Sequence, residues 1–337
     1  MPTLRVLTVN SVTAVVGMLA LVAMTSLTHI VAPSVALAKP AASAAGTSNG
    51  NSSNRASDND DKLEKKEDTV AGGTHWRIKT TAGAVHVWIP ADYDRESAGT
   101  VVYVHGYYTD SDGAWRDCGL AKQFRASKQN AMFVVPDAPS GNNEEVKWPA
   151  LTDLRKAVAR ANIRLPDGPL VVVGHSGAFR TVMKWIDNRT VDQIILLDAL
   201  YGGEKAFDEY IDSGKRANDH KLIVVGAATA QGSKAFAKKY PFAVSRDKLP
   251  SSAAGFKQKE KRAKLLYVHS QYEHMSIVTN GKVIPTLLHL TQLKALERSS
   301  TARSPNSQSP NVPPLTARTC GLADVQACVK PYFAVTR

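Results

Sequence analysis

Residues 174–178 read Gly-His-Ser-Gly-Ala, directly after the apolar run Leu170-Val-Val-Val and before a segment with helical periodicity. A strand that turns straight into a helix at one residue strains that residue's backbone and lifts its side chain into the open. The neighbours two before and two after it must be small, because the strand and helix backbones nearly touch. Gly174 and Ala178 meet that need, and the presented residue is Ser176. A hydroxyl is a poor nucleophile at neutral pH and needs a base within hydrogen-bond reach. An imidazole supplies the base, and a carboxylate fixes its tautomer and stabilises the imidazolium. The competing explanation is a structural serine in a tight turn.

Two late histidines could serve. His274 lies in the loop Ser270-Gln-Tyr-Glu-His-Met-Ser and is the expected base, whereas His269 ends an apolar run and is expected to pack or to hydrogen-bond. Asp198, just after Gln193-Ile-Ile-Leu-Leu, is the expected acid; the next run ends in residues 226–232, which hold no acid. Glu273 adjoins His274 and is expected to point elsewhere. Acyl transfer also needs donors for a developing oxyanion. Gly106 lets the backbone come close, so the N–H of Tyr107 is expected to join that of Gly177. His105 and His175 are read as structural. Tyr108 and Asp137 are candidate substrate contacts. Tyr107, Tyr108, Trp115 and Trp148 are candidates to line an apolar acyl or aryl pocket, with ordinary packing as the alternative.

Each of these residues follows an apolar run, which suggests the scaffold. Residues 75–80 and 85–90 read as a hairpin. Runs at 100–105, 131–136, 170–174, 193–198, 221–226 and 264–269 have little polar alternation and are separated by helical patterns such as 149–163 and 177–186. Such runs predict a mostly parallel sheet of about eight strands covered by helices on both faces. Ligands bind such sheets at the carboxyl ends of the strands.

Over residues 75–296 the chain resembles the α/β-hydrolase superfamily. The resemblance rests on the His105-Gly106 loop, the turn at 174–178, and the order Ser176, Asp198, His274. It implies the α/β-hydrolase fold, a Ser-His-Asp catalytic triad, an oxyanion hole at Tyr107 and Gly177, and no cofactor. Ala178 stands where the superfamily usually has a second glycine. The acid follows the sixth strand, where the commoner position is after the seventh. Between Asp198 and Lys221 only one helix fits, near 205–211, so no large cap is expected. Residues 231–264 are long enough to fold over one side.

The ends read differently. Arg5 is the only charged residue before Lys39, and residues 14–24 form an apolar stretch of 11. A membrane span needs roughly 20. With Ala36-Leu37-Ala38 behind it, this reads as a signal peptide over 1–38, and so as a secreted or periplasmic protein; an uncleaved anchor is the other reading. Residues 39–73 and 299–319 are polar or Ser/Pro-rich and read as linkers flanking a hydrolase domain at 74–298. A tail at 320–337 holds Cys320 and Cys328, which could pair with each other or leave one to pair with Cys118.

The 337 residues carry 42 Lys+Arg against 30 Asp+Glu, a net charge of +12, with many cations in 234–264. An anionic envelope surface is one partner this suggests, and a solvated basic face is the other reading. The basic segment contains no nucleic-acid-binding motif. No Cys/His spacing suits a metal. The functional expectation is a secreted serine hydrolase acting on small or polymeric carboxylic esters. The alternatives are a peptidase or amidase acting on peptides or cell-wall material, and a non-catalytic envelope-binding protein.

Overall fold

A computed structural model describes residues 63–296 except 187, 188 and 217. It opens on an antiparallel meander of β1 (Lys65–Val70), β2 (Gly73–Thr80) and β3 (Gly83–Pro90). The chain then forms β4 (Gly99–Val104), α1 (Ser111–Asp117), α2 (Leu120–Ser127), β5 (Ala131–Pro136) and α3 (Leu151–Arg160). Next come β6 (Leu170–His175), α4 (Phe179–Trp185), β7 (Gln193–Leu197), α5 (Glu204–Ser213) and β8 (Lys221–Gly226). The remainder is α6 (Ala230–Lys238), β9 (Val244–Arg246), α7 (Gln258–Lys261), β10 (Leu265–His269), α8 (Ser276–Thr279) and α9 (Val283–Leu288). The strands form one sheet in the order β1-β2-β3-β5-β4-β6-β7-β8-β10-β9. Every pairing from β5 to β9 along that order is parallel.

Side chains of a strand alternate between faces, and here both faces are buried. Val102, Val134, Val172, Leu196 and Val224 pack under α3, α4, α5 and α6. Their odd-numbered neighbours Val101, Phe133, Val171, Ile195 and Val225 pack under α1, α2 and α9. This explains the near-continuous apolar runs. The expected helices at 149–163, 177–186 and 205–211 are α3, α4 and α5. Between β7 and β8 the only helix among the described residues is α5, so there is no large cap.

The sheet is larger than the expected eight strands. β1 lies inside the segment read as linker, which corrects the boundary at 73. Five of its six residues, Lys-Lys-Glu-Asp-Thr-Val, are exposed. It joins the sheet through its backbone pairing with β2, so it carries no apolar alternation to detect. Its Asp68 meets His75 Nδ1 at 2.6 Å, His75 Nε2 meets His86 Nδ1 at 2.9 Å, and His86 Nε2 meets Asp112 at 2.9 Å. β9 is a three-residue edge strand. The reading of residues 1–38 as a signal peptide, the Ser/Pro-rich linker 299–319, and the tail with Cys320 and Cys328 lie outside the described residues. Among the described residues Cys118 is a buried thiol with no disulfide partner.

Candidate active site

β6 ends at His175, and the backbone turns at Ser176 with φ of +54°, in the left-handed region. One 3₁₀ turn, Ser176–Ala178, leads into α4. A Cβ at Gly174 would lie 2.9 Å from Val182 Cγ2 and 3.4 Å from Ala178 Cβ. Glycine at 174 is therefore demanded by α4 itself, and the alanine at 178 is accommodated because 174 has no side chain.

Ser176 Oγ lies 2.9 Å from His274 Nε2, and His274 Nδ1 lies 2.6 Å from Asp198 Oδ2. A carboxylate accepts, so Nδ1 carries the proton and Nε2 is left to accept from the serine. Asp198 is fully buried and also sits at positive φ, +47°. The loop after β8 surrounds it with donors. Oδ1 accepts from the N–H groups of Ala227 and Thr229, both at 2.8 Å, and from Thr229 Oγ1 at 2.7 Å; Oδ2 accepts from Ala228 N–H at 3.0 Å. Burial pushes this carboxyl up, but the bonds from His274, Thr229 and Ala227 outweigh it and hold it well below the usual carboxylate range. Sequence reasoning noted only that this loop has no acid. Its contribution is three backbone donors, invisible in residue types, plus the Thr229 hydroxyl.

The loop after β4 meets this turn from the other side. A Cβ at Gly106 would fall 2.8 Å from Ser176 Cβ, and one at Gly177 would overlap the ring of Tyr107. The Tyr107 N–H has no backbone acceptor among the described residues. The Gly177 N–H lies in the first turn after β6, where intrahelical acceptors are lacking. His105 anchors the loop: Nδ1–H donates to Gly106 O at 2.7 Å, and Nε2 lies 2.9 Å from Ala138 N and 3.1 Å from Asp137 Oδ1. His175 is buried, lies 3.2 Å from the His274 carbonyl through Nε2, and its ring lies 4.7 Å from the His274 ring, tilted by 34°. His269 ends β10 exposed to solvent.

Ser176 thus turns off the strand after β4 in the sheet, Asp198 follows β7, and His274 follows β10, all at the carboxyl edge. The chain has the α/β-hydrolase fold. No family model matches the sequence, and no relative among curated proteins matches it. Solved structures do. One is an S-formylglutathione hydrolase from Agrobacterium tumefaciens, 12% identical over 67% of this chain and 97% of that one, with a TM-score of 0.42. Another is a feruloyl esterase module from Clostridium thermocellum complexed with sinapinate, 13% identical over 66% and 87%, with a TM-score of 0.43. A third is an esterase from Pyrobaculum calidifontis, 14% identical over 68% and 82%, with a TM-score of 0.39.

Several expected wall residues of this hydrolase fold sit elsewhere. Asp137 is buried, and both its oxygens are engaged: Oδ1 with Ser111 N–H at 3.0 Å and Oδ2 with Lys147 Nζ at 2.7 Å. Burial raises its pKa, but His105, Lys147 and Ser111 together draw it down to about 2. It supports the His105 loop and does not front the cleft, which corrects its reading as a substrate contact. Trp148 is buried in the core, its carbonyl accepting from Trp185 Nε1 at 2.8 Å. Trp115 stacks on His75 and His86 at 4.6 and 5.0 Å, near β1. Neither indole lines the site. Tyr108 is 97% exposed, at φ +65°, with its N–H bonded to Ser140 O at 2.8 Å. Tyr201 and Met275 are exposed as well, and Tyr201 stands edge-on to His274 at 6.4 Å. Sequence reading missed both. Arg180, also missed, donates to the carbonyls of Gly141, Asn142 and Glu144 and to Tyr107 Oη, tying the 141–144 loop to α4. Among the described residues no cluster of His, Cys, Asp or Glu is arranged to hold a metal ion.

Proposed function

We propose that this protein is a serine hydrolase that cleaves carboxylic esters through an acyl-enzyme. The observation carrying this reading is the unbroken line from Ser176 Oγ through His274 to Asp198, with links of 2.9 and 2.6 Å. His274 Nε2 takes the Ser176 proton as Oγ bonds to the ester carbonyl carbon. The carbonyl oxygen gains charge, and the N–H groups of Tyr107 and Gly177 stabilise it. Asp198 keeps Nδ1 protonated and balances the imidazolium. His274 then passes its proton to the leaving oxygen as the carbon–oxygen bond breaks, and the acyl group stays on Ser176. A water repeats the sequence: it gives a proton to His274, attacks the acyl carbon, and releases the acid while Oγ regains its proton. His175 holds the His274 backbone, Tyr108 lies at the entrance, and no cofactor takes part.

The apolar stretch at 14–24 with Ala36-Leu37-Ala38 supports an exported enzyme, secreted or periplasmic. No helix among the described residues is long and apolar enough to cross a membrane. The net charge of +12 supports contact with an anionic envelope surface.

The deciding experiment is labelling with a fluorophosphonate probe. Wild type takes the label and Ser176→Ala does not, with turnover of p-nitrophenyl acetate falling roughly a millionfold, as for triads that act as a unit. Equal labelling of both proteins refutes the assignment. Release of p-nitroaniline from the matching anilide faster than p-nitrophenol from the ester makes the protein an amidase. An inert protein that still binds envelope polymer makes it a binding module.

A further inference from the structure

Arg180 lies in the first turn of α4, four residues after Ser176. Its guanidinium makes four hydrogen bonds. Nη1 donates to Asn142 O at 2.9 Å, to Gly141 O at 3.2 Å and to Tyr107 Oη at 3.3 Å, and Nη2 donates to Glu144 O at 2.7 Å. None of these four acceptors is a carboxylate, so the contacts fix a shape and do not cancel a charge. A planar guanidinium sets the directions of its N–H groups, which a rotating ammonium does not.

The three carbonyls belong to the loop after β5, and that loop reaches back to the loop after β4. Ser140 O accepts from Tyr108 N–H at 2.8 Å. The Glu144 carboxylate closes the loop on itself, accepting from Ser140 N–H at 3.0 Å and from the Ser140 hydroxyl. Arg180 therefore holds Tyr107 twice: at the tip of its ring directly, and at the peptide that follows it by way of Ser140. The ring itself lies on Gly177, where a Cβ would stand 2.4 Å from Tyr107 Cε1. Tyr108 sits at φ of +65°, a conformation that residues with side chains rarely adopt and that the Ser140 bond secures.

Both terminal nitrogens of the guanidinium are engaged, so it is not a ready anchor for a substrate anion. Its bonds to Asn142 and Glu144 lie at the surface. Water can replace them there, so their loss costs geometry more than stability. The parts they join are the two carriers of oxyanion donors. The turn leading into α4 carries Gly177 next to Ser176, and the loop after β4 carries Tyr107.

We propose that Arg180 is a positioning residue for the oxyanion donors: it sets the Tyr107 N–H in register with the Gly177 N–H, so that both meet the same developing charge. This rests on the ester-hydrolase reading above and deepens it, because the spacing of the two donors is assigned to a side chain outside the triad. Arg180 makes no contact with the reacting atoms. Donors of this kind act by being arranged in advance at the position the charge will occupy, so the loss of Arg180 falls on the transition state and not on substrate binding.

The test compares wild type, Arg180→Ala, Arg180→Lys and Tyr107→Phe, each as the full chain. The substrates are p-nitrophenyl acetate and its thiono analogue, in which sulfur replaces the carbonyl oxygen. Sulfur accepts hydrogen bonds weakly, so the oxygen-to-sulfur rate ratio reports on the donors. Arg180→Ala should lower kcat on the acetate roughly 10- to 100-fold at unchanged KM, the effect of a displacement of about 1 Å, and should lower the oxygen-to-sulfur ratio severalfold. Arg180→Lys, which reaches only part of the acceptors, should recover part of both losses. Tyr107→Phe removes one contact of the four and should cost less than Arg180→Ala. These two variants keep the test open if Arg180→Ala fails to fold. Folded variants with wild-type kcat and an unchanged ratio overturn the positioning role and leave the hydrolase reading standing. A higher KM at undiminished kcat also overturns it and assigns Arg180 to substrate binding. A wild type that turns over neither ester and takes no fluorophosphonate label overturns the hydrolase reading, and the positioning role with it.

Discussion

Gly106 and Ser176 come from loops after different strands and leave no room for one methyl group between them: a Cβ at 106 would stand 2.8 Å from Ser176 Cβ. Real Cβ atoms do not approach so closely, so Gly106→Ala must push apart the two loops that carry the Ser176 hydroxyl and the Tyr107 N–H. Displacements of about 1 Å can cost 100-fold in rate. We expect Gly106→Ala to lower kcat on p-nitrophenyl acetate roughly 100-fold with an unshifted circular-dichroism melt. Near-wild-type kcat would mean that Tyr107 is not a donor to the oxyanion.

Asp198 and Thr229 should separate orientation of the base from support of the acid. Asp198→Asn keeps the shape but presents an amide to His274 and disturbs its tautomer, for a loss of about 10⁴ in kcat. Thr229→Val removes one of the donors on Oδ1, the hydroxyl at 2.7 Å, and retains the backbone N–H. Its loss should be smaller, roughly tenfold in kcat at unchanged KM, and Thr229→Ser should restore it. A KM effect without a kcat effect would assign Thr229 to substrate binding instead.

The structural role of Asp137 makes a prediction opposite to that of a substrate contact. Asp137→Ala leaves the buried N–H of Ser111 and the Lys147 ammonium without their acceptor. An unsatisfied buried donor costs about 1–3 kcal/mol. Urea titration should therefore show a lower midpoint, while KM for p-nitrophenyl butyrate stays within twofold of wild type. A large KM increase at undiminished stability would return Asp137 to the substrate.

Acid should weaken the fold through His175. Its folded pKa is lowered to about 4, first by burial and then by His274, whereas an unfolded histidine titrates near 6.5. Between those values the unfolded chain binds a proton that the folded chain refuses, so stability falls as pH drops from about 6.5 to about 4. The full effect is about 3 kcal/mol. Below that window the loss from Asp198 begins, because its lowered pKa favours folding only while the unfolded carboxyl is ionised. Chemical melts at pH 7 and pH 4.5 should differ less in His175→Gln than in wild type; an equal difference would assign the acid sensitivity to other groups.

Ser176, Asp198 and His274 were readable in the sequence because each is a chemically distinctive side chain directly after an apolar run, and the sheet fixes the ends of its strands. Residue type left Trp115 and Trp148 open between a pocket wall and ordinary packing. A tryptophan in or beside a helix can face the core, and the direction depends on packing that residue type does not encode. β1 was unreadable because an edge strand held by its backbone can be wholly polar. The loop at 227–229 was unreadable for a related reason: its main contribution is amide hydrogen, which every residue there but proline has. Asp137 was misassigned because its position after β5 is right for a cleft residue, while its surroundings, Gly83 pressed against it and Lys147 capping it, come from distant segments.

The cradle around Asp198 also sets the order in which the molecule fails. Three consecutive residues, Ala227, Ala228 and Thr229, hold that carboxylate, and loops open more readily than the strands that bear them. A brief fraying of this one turn would leave the buried charge without its amides and His274 without its brace, though the sheet stayed intact. Heat should therefore extinguish turnover some degrees before the backbone spectrum changes, and activity should return on cooling as long as the core has not melted.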